Sequence, residues 1–408
     1  MTKKNSDNYR WMALVISCLV NLCVGSIYSW SVFADPLVQY LSKTTGTKIA
    51  GLSLVFTVAN AVGPITMVSG GFINDKIGPR WIIFSGGILF GLGMIGSGMA
   101  KTVPMLVISY GVGVGLATGM LYGCTVSGTV KLFPDKKGLA GGLTSAAYGI
   151  SSVIIPPMAN ALIKDFGINK ALIILGTVMM VLICICAFIY SFCFDKAKLQ
   201  AASMSTSEFA DTTGLNWKQM LCRPYFYIML IMLCAGAFSG LMIISNAAPL
   251  AKKIFFVSAD LAAIIVSVLA LFNTAGRILS GFVSDKIGVI NTLRSTFVFF
   301  IIAQILLFIS VSSGLILFII GVCIVGLCFG SIMGIYPGFT AEKFGAAHNS
   351  VNYGIMFCGF SLAGYLGPLI LNSIYNLTDS YKFAFPAAAG FALIGLILTF
   401  VKAKRLSR

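Results

Sequence analysis

The chain has 408 residues, 58% hydrophobic and 10% charged, and its 28 Lys and Arg outnumber its 12 Asp and Glu for a net charge of +16. A soluble domain carries about 25% charged residues, and the apolar runs here recur along the whole length at ~20 residues or more, enough to cross a hydrocarbon core as a helix. This excludes a soluble globular protein, turns the positive charge from a nucleic-acid signal into a question of membrane sidedness, and excludes a membrane β-barrel, whose strands alternate polar and apolar with period two.

The runs predict an all-α membrane protein of twelve transmembrane helices, near 11–34, 48–73, 80–100, 104–130, 138–163, 168–193, 225–250, 259–284, 291–311, 314–340, 349–375 and 381–402. The first follows a short basic tail; it is too long for a signal-peptide core and lacks a cleavage site, so it reads as a retained span. With the N-terminus inside, the inner loops and tails hold 19 of the 28 Lys and Arg, the outer loops hold 8, and Arg277 is the last. The bias places both termini in the cytoplasm of a multi-pass protein of the cell (inner or plasma) membrane. The most polar stretch, 195–223, reads as a cytoplasmic linker, partly disordered. It separates an N-terminal six-helix half, 1–194, from a C-terminal one, 224–408.

The eleven cysteines lie in or beside the spans with no CxxC pair and read as buried small hydrophobes. The single His348 falls in an inner loop, so neither a histidine proton relay nor a metal site is expected, and no cofactor is implied. The raw material of an enzyme is also missing: apart from Asp260 at the very start of span eight, the spans carry no acid and no histidine, and there is no GxxxxGK[ST] loop.

Arg277 is the one charged side chain well inside an apolar run, 261–284. A charge at membrane depth is costly and tends to mark a substrate or ion pathway. With no acid inside the spans away from their ends, its partner is expected to be an external anion. Its position leaves two readings open. Seven residues separate it from Ser284, roughly 10 Å along the helix, against ~15 Å to the midplane, so the side chain either snorkels to the interface or faces a cavity. Its planar fork suits a carboxylate.

The chain repeats itself. Gly71-Phe72-Ile73-Asn74-Asp75-Lys76-Ile77-Gly78 ends span two, and Gly281-Phe282-Val283-Ser284-Asp285-Lys286-Ile287-Gly288 ends span eight, 210 residues later. Span four carries Gly111, Gly115, Gly119 and Gly123; span ten carries Gly326, Gly330, Gly334 and Gly338. Spacing of four puts each set on one helix face, where backbones can approach closely. Pro157 and Pro368 are a weaker echo in spans five and eleven. Parallel six-span repeats are the arrangement of the major facilitator transporters, whose site lies at the midplane between the halves, and the two loops closely resemble that superfamily's signature, which in the first half continues to Pro79-Arg80. The resemblance makes them conformational latches: Gly71, Asp75, Lys76, Gly78 and Arg80 in one, Gly281, Asp285, Lys286 and Gly288 in the other. The aspartates could cap a neighbouring helix or pair with a basic residue.

Further stretches are similar to the oxalate/formate antiporter family within that superfamily: Arg10-Trp11, Tyr28-Ser29-Trp30, 133–140 (FPDKKGLA), 273–288 and Asn352-Tyr353-Gly354. The resemblance assigns Arg277 to the substrate carboxylate and Tyr28, Tyr122 and Tyr148 to the cavity. It also exposes departures. A span-eleven lysine with which the family's oxalate carrier completes a dianion clamp is Phe360 here; two cavity tryptophans become Phe329 and Phe357, and a tyrosine becomes Met333. One cation and a more apolar wall imply a small monocarboxylate anion such as formate, acetate, lactate or pyruvate, because a second carboxylate opposite Phe360 would be buried unpaired at a cost of roughly several kcal/mol. Proton-coupled monocarboxylate carriers place an aspartate one turn before this arginine, where the chain has Asn273; exchange of anions is therefore expected. The alternatives are an oxalate/formate dicarboxylate antiporter and a proton-coupled monocarboxylate symporter. The expected partners are the anion and the lipid bilayer, with no nucleic acid and no obligate protein partner.

Overall fold

In lipid a backbone segment must satisfy its own N–H and C=O groups, so each long apolar run is driven into a helix. The computed structural model describes residues 3–49, 51–203, 214–244 and 246–401. Its spans are α1 (Asn8–Thr45), α2 (Ser53–Ile77), α3 (Pro79–Met99), α4 (Val103–Leu132), the long stretch Lys137–Ala197, α7 (Pro224–Ile244), α8 (Asp260–Ile287), α9 (Val289–Ser313), α10 (Leu315–Phe344), α11 (Asn349–Thr378) and the shorter α12 (Ala384–Leu398). The long stretch turns at Gly167, whose φ of 77° is non-helical, into α5 (137–166) and α6 (168–197). With those two arms taken separately, the described residues contain twelve apolar helical segments, as the hydropathy predicts.

Several helices outrun or fall short of their apolar runs. α1 continues to Thr45 rather than ending near 34, because Phe33, Leu37 and Leu41 recur at four-residue spacing and bury one face while Asp35 stays exposed on the other. It is not uniform: Gly25–Ser29 tightens into a 3-10 turn, and Val107–Val114 in α4 widens into a π-helix. The seventh run splits into α7 and a short helix, Ala247–Phe255. There Lys253 Nζ donates to the Tyr381 hydroxyl at 3.1 Å over the stacked rings of Tyr375 and Tyr381, which holds the ammonium pKa above its ordinary value. The helix containing α6 runs on to Ser203, into the expected linker; residues 204–213 of that linker lie outside the described residues. Beyond them Asn216 caps the helix Trp217–Leu221, and Leu215 is pinned by its N–H to the Phe344 carbonyl and by its carbonyl to Asn352 Nδ2, each at 2.8 Å.

The chain forms two compact units. The first gathers Met1–Asp135, Ala147–Leu215 and Thr340–Ile355; the second gathers Lys136–Ala146, Asn216–Phe339 and Met356–Arg408. α5 and α11 are thus each divided, and at corresponding places in the two repeats. Each unit is stitched by a few buried polar contacts, the usual glue between membrane helices. In the first, Ser17 and Thr129 share a 2.7 Å hydroxyl contact and Asn21 Nδ2 donates to Thr125 Oγ1 at 2.9 Å, joining α1 to α4. In the second, Gln304 Nε2 donates to the Ser239 carbonyl at 3.3 Å and Ser239 Oγ to the Ala388 carbonyl at 2.9 Å, joining α9, α7 and α12.

The glycine stripes set the closest approaches. In the first unit α4 lies on α2: a Cβ at Gly115 would fall 2.8 Å from Ala59 Cα, one at Gly119 would overlap the Gly63 carbonyl, and one at Gly123 would come 2.7 Å from the Met67 side chain. In the second, α10 lies on α8 in the same way: Gly326 meets the Leu269 carbonyl at 2.8 Å, Gly330 the Asn273 carbonyl, and Gly334 the Arg277 carbonyl at 2.6 Å. Matched through these partners, Gly119 corresponds to Gly330 and Gly123 to Gly334, one turn out of step with their order along the two stripes. The first-half counterpart of Arg277 is therefore Met67.

A methyl group at such a crossing must separate two backbones. Gly330→Ala is expected to destabilise the protein by about 1–3 kcal/mol, read as a lower thermal midpoint of the purified chain. Gly390→Ala in α12, where an added Cβ meets nothing within 4 Å, should leave the midpoint unchanged or slightly raised.

Candidate functional site

Arg277 is held within the second unit at a point where α8 is pressed on two sides by glycine. Gly334 of α10 abuts its backbone on one side, and Gly142 of α5 abuts its carbonyl on the other. The side chain is 2% exposed. Its Nη1 donates to the Ser145 carbonyl at 2.6 Å and its Nε to Asn273 Oδ1, one turn earlier, at 3.3 Å. The guanidinium is therefore buried in protein and does not extend along α8 to an interface. Among the described residues it has no carboxylate partner, and Nη2 makes no hydrogen bond. Burying a guanidinium at the centre of a membrane helix costs about 2.5–3.5 kcal/mol, which two neutral acceptors offset only in part.

The apolar residues assigned to the site lie in the same unit. Phe357 stacks on Phe360 at 4.6 Å, and Phe329 lies 6.3 Å from Phe360, centroid to centroid. Phe329 and Met333 are both buried, and each directly precedes a glycine that fits α10 against α8, Gly330 at Asn273 and Gly334 at Arg277. Phe357 also interrupts α11, between Asn349–Met356 and Cys358–Thr378, and the Phe360 N–H bonds to its carbonyl at 3.0 Å in a tightened turn. Nothing in the hydropathy of span eleven signals that break.

The tyrosines form a cluster in the first unit. Tyr148 of α5 meets Tyr28 of α1 edge-on at 5.1 Å and Tyr122 of α4 at 5.0 Å. Gly25 makes this possible: a Cβ there would overlap the Tyr148 carbonyl, so α1 rides directly on α5. The 3-10 turn of α1 begins at this crossing and carries Tyr28.

The two signature loops share a backbone design and differ in charge chemistry. Gly78 and Gly288 take φ of 86° and 84°, which L side chains resist, and each lets a new helix begin at once. A Cβ on Gly71 would fall 2.8 Å from the Ser350 carbonyl, at the start of α11, and one on Gly281 would overlap the Gly138 carbonyl, at the start of α5. Asp285 then caps α5, its two oxygens accepting from the N–H groups of Gly138 and Leu139 at 2.8 Å each. Asp75 instead pairs with Lys131 at 2.6 Å, and Lys131 passes on to the Ala347 carbonyl at 3.1 Å, while Asn74 Nδ2 donates to Ser350 Oγ at 2.8 Å. Both options open for these aspartates are thus used, one in each loop. Arg80 lies over the Trp81 and Phe188 rings, Lys286 over Phe282, and Lys76 is exposed.

Sequence reasoning missed the Ser145 carbonyl, a backbone acceptor with no signature letter. It also did not single out Lys131, although a cation closing span four beside an acidic loop was a usable signal.

The chain matches the family profile described as Major Facilitator Superfamily over residues 18–368 and again over 251–407. It is 30% identical to the oxalate:formate antiporter of Oxalobacter formigenes over 361 residues, covering 88% of this chain and 83% of that protein. It is 26% identical to the probable nitrate transporter NarT of Staphylococcus haemolyticus (strain JCSC1435) over 387 residues, 93% of each. In structure it is similar to the proton:xylose symporter XylE, with a TM-score of 0.75 at 14% identity, covering 97% of this chain and 95% of that one.

The Asp75–Lys131 pair is largely buried, with 8% and 19% of the side-chain surfaces exposed. Lys131→Met, which strands the carboxylate, should cost about 3 kcal/mol. Adding Asp75→Asn should restore most of that loss, as measured by denaturation of the single and double variants.

Proposed function

The chain belongs to the major facilitator superfamily, and we propose that this transporter carries small carboxylate monoanions by exchange. The observation that carries the reading is the single buried guanidinium of Arg277, which has no acidic partner among the described residues. Kinship with the oxalate:formate antiporter supports carboxylates as the substrate class. Arg277 is assigned the carboxylate through Nη2 and whatever bonds it exchanges from Ser145 and Asn273. Phe329, Met333, Phe357 and Phe360 supply an apolar wall that suits a hydrogen or methyl group and offers a second carboxylate nothing. Formate, acetate, lactate and pyruvate fit this charge balance; oxalate does not. Tyr28, Tyr122 and Tyr148, clustered in the first unit, are assigned to substrate binding as hydroxyl donors with apolar faces.

The coupling follows from charge. An empty site leaves an uncompensated cation in a low-dielectric interior, and a bound anion lowers the cost of occluding it, so the loaded carrier reorients more readily. Asn273 beside the guanidinium has no proton to exchange. The halves 1–194 and 224–408 are assigned as the moving bodies, joined by a cytoplasmic linker at 195–223 with both termini on that side, and the two signature loops as their latches.

Kinship with NarT supports a second reading, nitrate, which is also a planar monoanion that one guanidinium can grip.

Uptake of labelled acetate into proteoliposomes should be inhibited by formate, lactate and pyruvate at least tenfold more strongly than by oxalate. Preference for oxalate would overturn the charge argument, and preference for nitrate would install the second reading. Arg277→Gln should abolish uptake, while Phe360→Lys should improve oxalate relative to acetate by at least tenfold. Vesicles preloaded with substrate should take up label much faster than empty ones; equal rates driven by a pH gradient would replace exchange with proton coupling.

A further inference from the structure

The outer faces of α1 and α6, both in the first unit, enclose an open-sided groove of about 520 Å³ lined almost wholly by apolar atoms. Its floor on α6 is a stripe at alternating spacings of four and three: Val178, Leu182, Ile185 and Ile189. Ile16 and Leu19 of α1 form the facing wall. Val178 and Ile185 are more than half exposed, at 57% and 55%, so the protein leaves this stripe uncovered.

The same stripe continues past the groove in a different chemistry. Its next two members are Phe192 and Lys196. Phe192 meets the Tyr9 ring of α1 edge-on at 6.1 Å, which closes the groove's end, and Lys196 Nζ lies 5.7 Å from the Phe192 centroid. Lys196 has no carboxylate partner among the described residues. The neighbouring Asp195 lies about 100° away around the helix, where Ser191 Oγ donates to it at 3.4 Å.

The dimensions select an occupant. From Val178 to Ile189 the helix rises roughly 16 Å, close to the ~15 Å of one hydrocarbon leaflet. Aromatic rings followed by a cation are the residues that sit at headgroup level. An apolar trough one leaflet long, ending in an aromatic pair and an ammonium with no carboxylate partner among the described residues, matches a phospholipid and is too narrow in composition for a soluble ligand. We propose that this groove binds one phospholipid with an anionic headgroup, its acyl chain along the α6 stripe and its phosphate on Lys196. An ammonium near a membrane surface attracts anionic headgroups, so headgroup selectivity at this site rests on Lys196 and depth of binding on the groove.

The full-length protein, purified in detergent, is titrated with phosphatidylglycerol and phosphatidylcholine of matched chains and read by native mass spectrometry. One phosphatidylglycerol per chain should be retained, at least fivefold more strongly than phosphatidylcholine. Lys196→Gln should abolish that preference without weakening phosphatidylcholine. Val181→Trp, which fills the groove, should remove the retained lipid, whereas Ile302→Trp on the exposed face of α9 should not. A photoactivatable phosphatidylglycerol on the unaltered protein should label peptides spanning 178–196, which keeps the test independent of the variants' folding. Equal retention of the two lipids, labelling spread evenly over the apolar surface, or a dimer that Val181→Trp dissolves would each overturn the proposal, the last by showing that a second copy of the chain covers the groove.

Discussion

Direct backbone contact at glycine is the constraint on which the rest of the structure depends. In a bilayer the hydrophobic effect no longer drives one helix onto another, and association relies on close packing and a few polar bonds. Each crossing that matters here is made where a Cβ has no room: α4 on α2, α10 on α8, α1 on α5 at Gly25, α8 on α5 at Gly142. The crossings also fix what the side chains beside them can reach. Arg277 bonds the Ser145 carbonyl because Gly142 allows α5 and α8 to touch one turn away. Tyr28 meets Tyr148 because Gly25 removes the spacing between their helices.

The packing also shows where the two halves, alike in their glycine contacts, carry different chemistry. Met67 and Arg277 occupy equivalent places. Met67 is flanked by Gly123 of α4 and Gly354 of α11, and Arg277 by Gly334 of α10 and Gly142 of α5. One position was filled with a neutral, adaptable side chain and the other with a permanent cation. A repeated scaffold thereby carries a buried cation at this place in one half and a neutral side chain in the other.

Much of this was legible in the letters. The twelve apolar runs, the duplicated loops and the small-residue stripes all act through composition and spacing, which sequence displays directly. Arg277 stood out because it is a costly residue in the wrong solvent. What stayed hidden depends on backbone and register. The carbonyl of Ser145 has no letter of its own. The one-turn offset between the glycine stripes appears only when each glycine is matched to its partner. The break at Phe357 lies inside a uniformly apolar run, and the division of α5 and α11 between the two compact units follows packing partners rather than chain order.

The unlike loops have a consequence for the molecule's history. Lys131, which neutralises Asp75, has Glu342 at the equivalent place in the other half, which offers Asp285 no positive charge, and Asp285 accepts from N–H groups at the start of α5. Ser284, the counterpart of Asn74, sits where Gly138 already has no space for a methyl group. The repeats, alike in sequence, have ceased to be interchangeable parts: one loop now depends on an ion pair and the other on a helix cap.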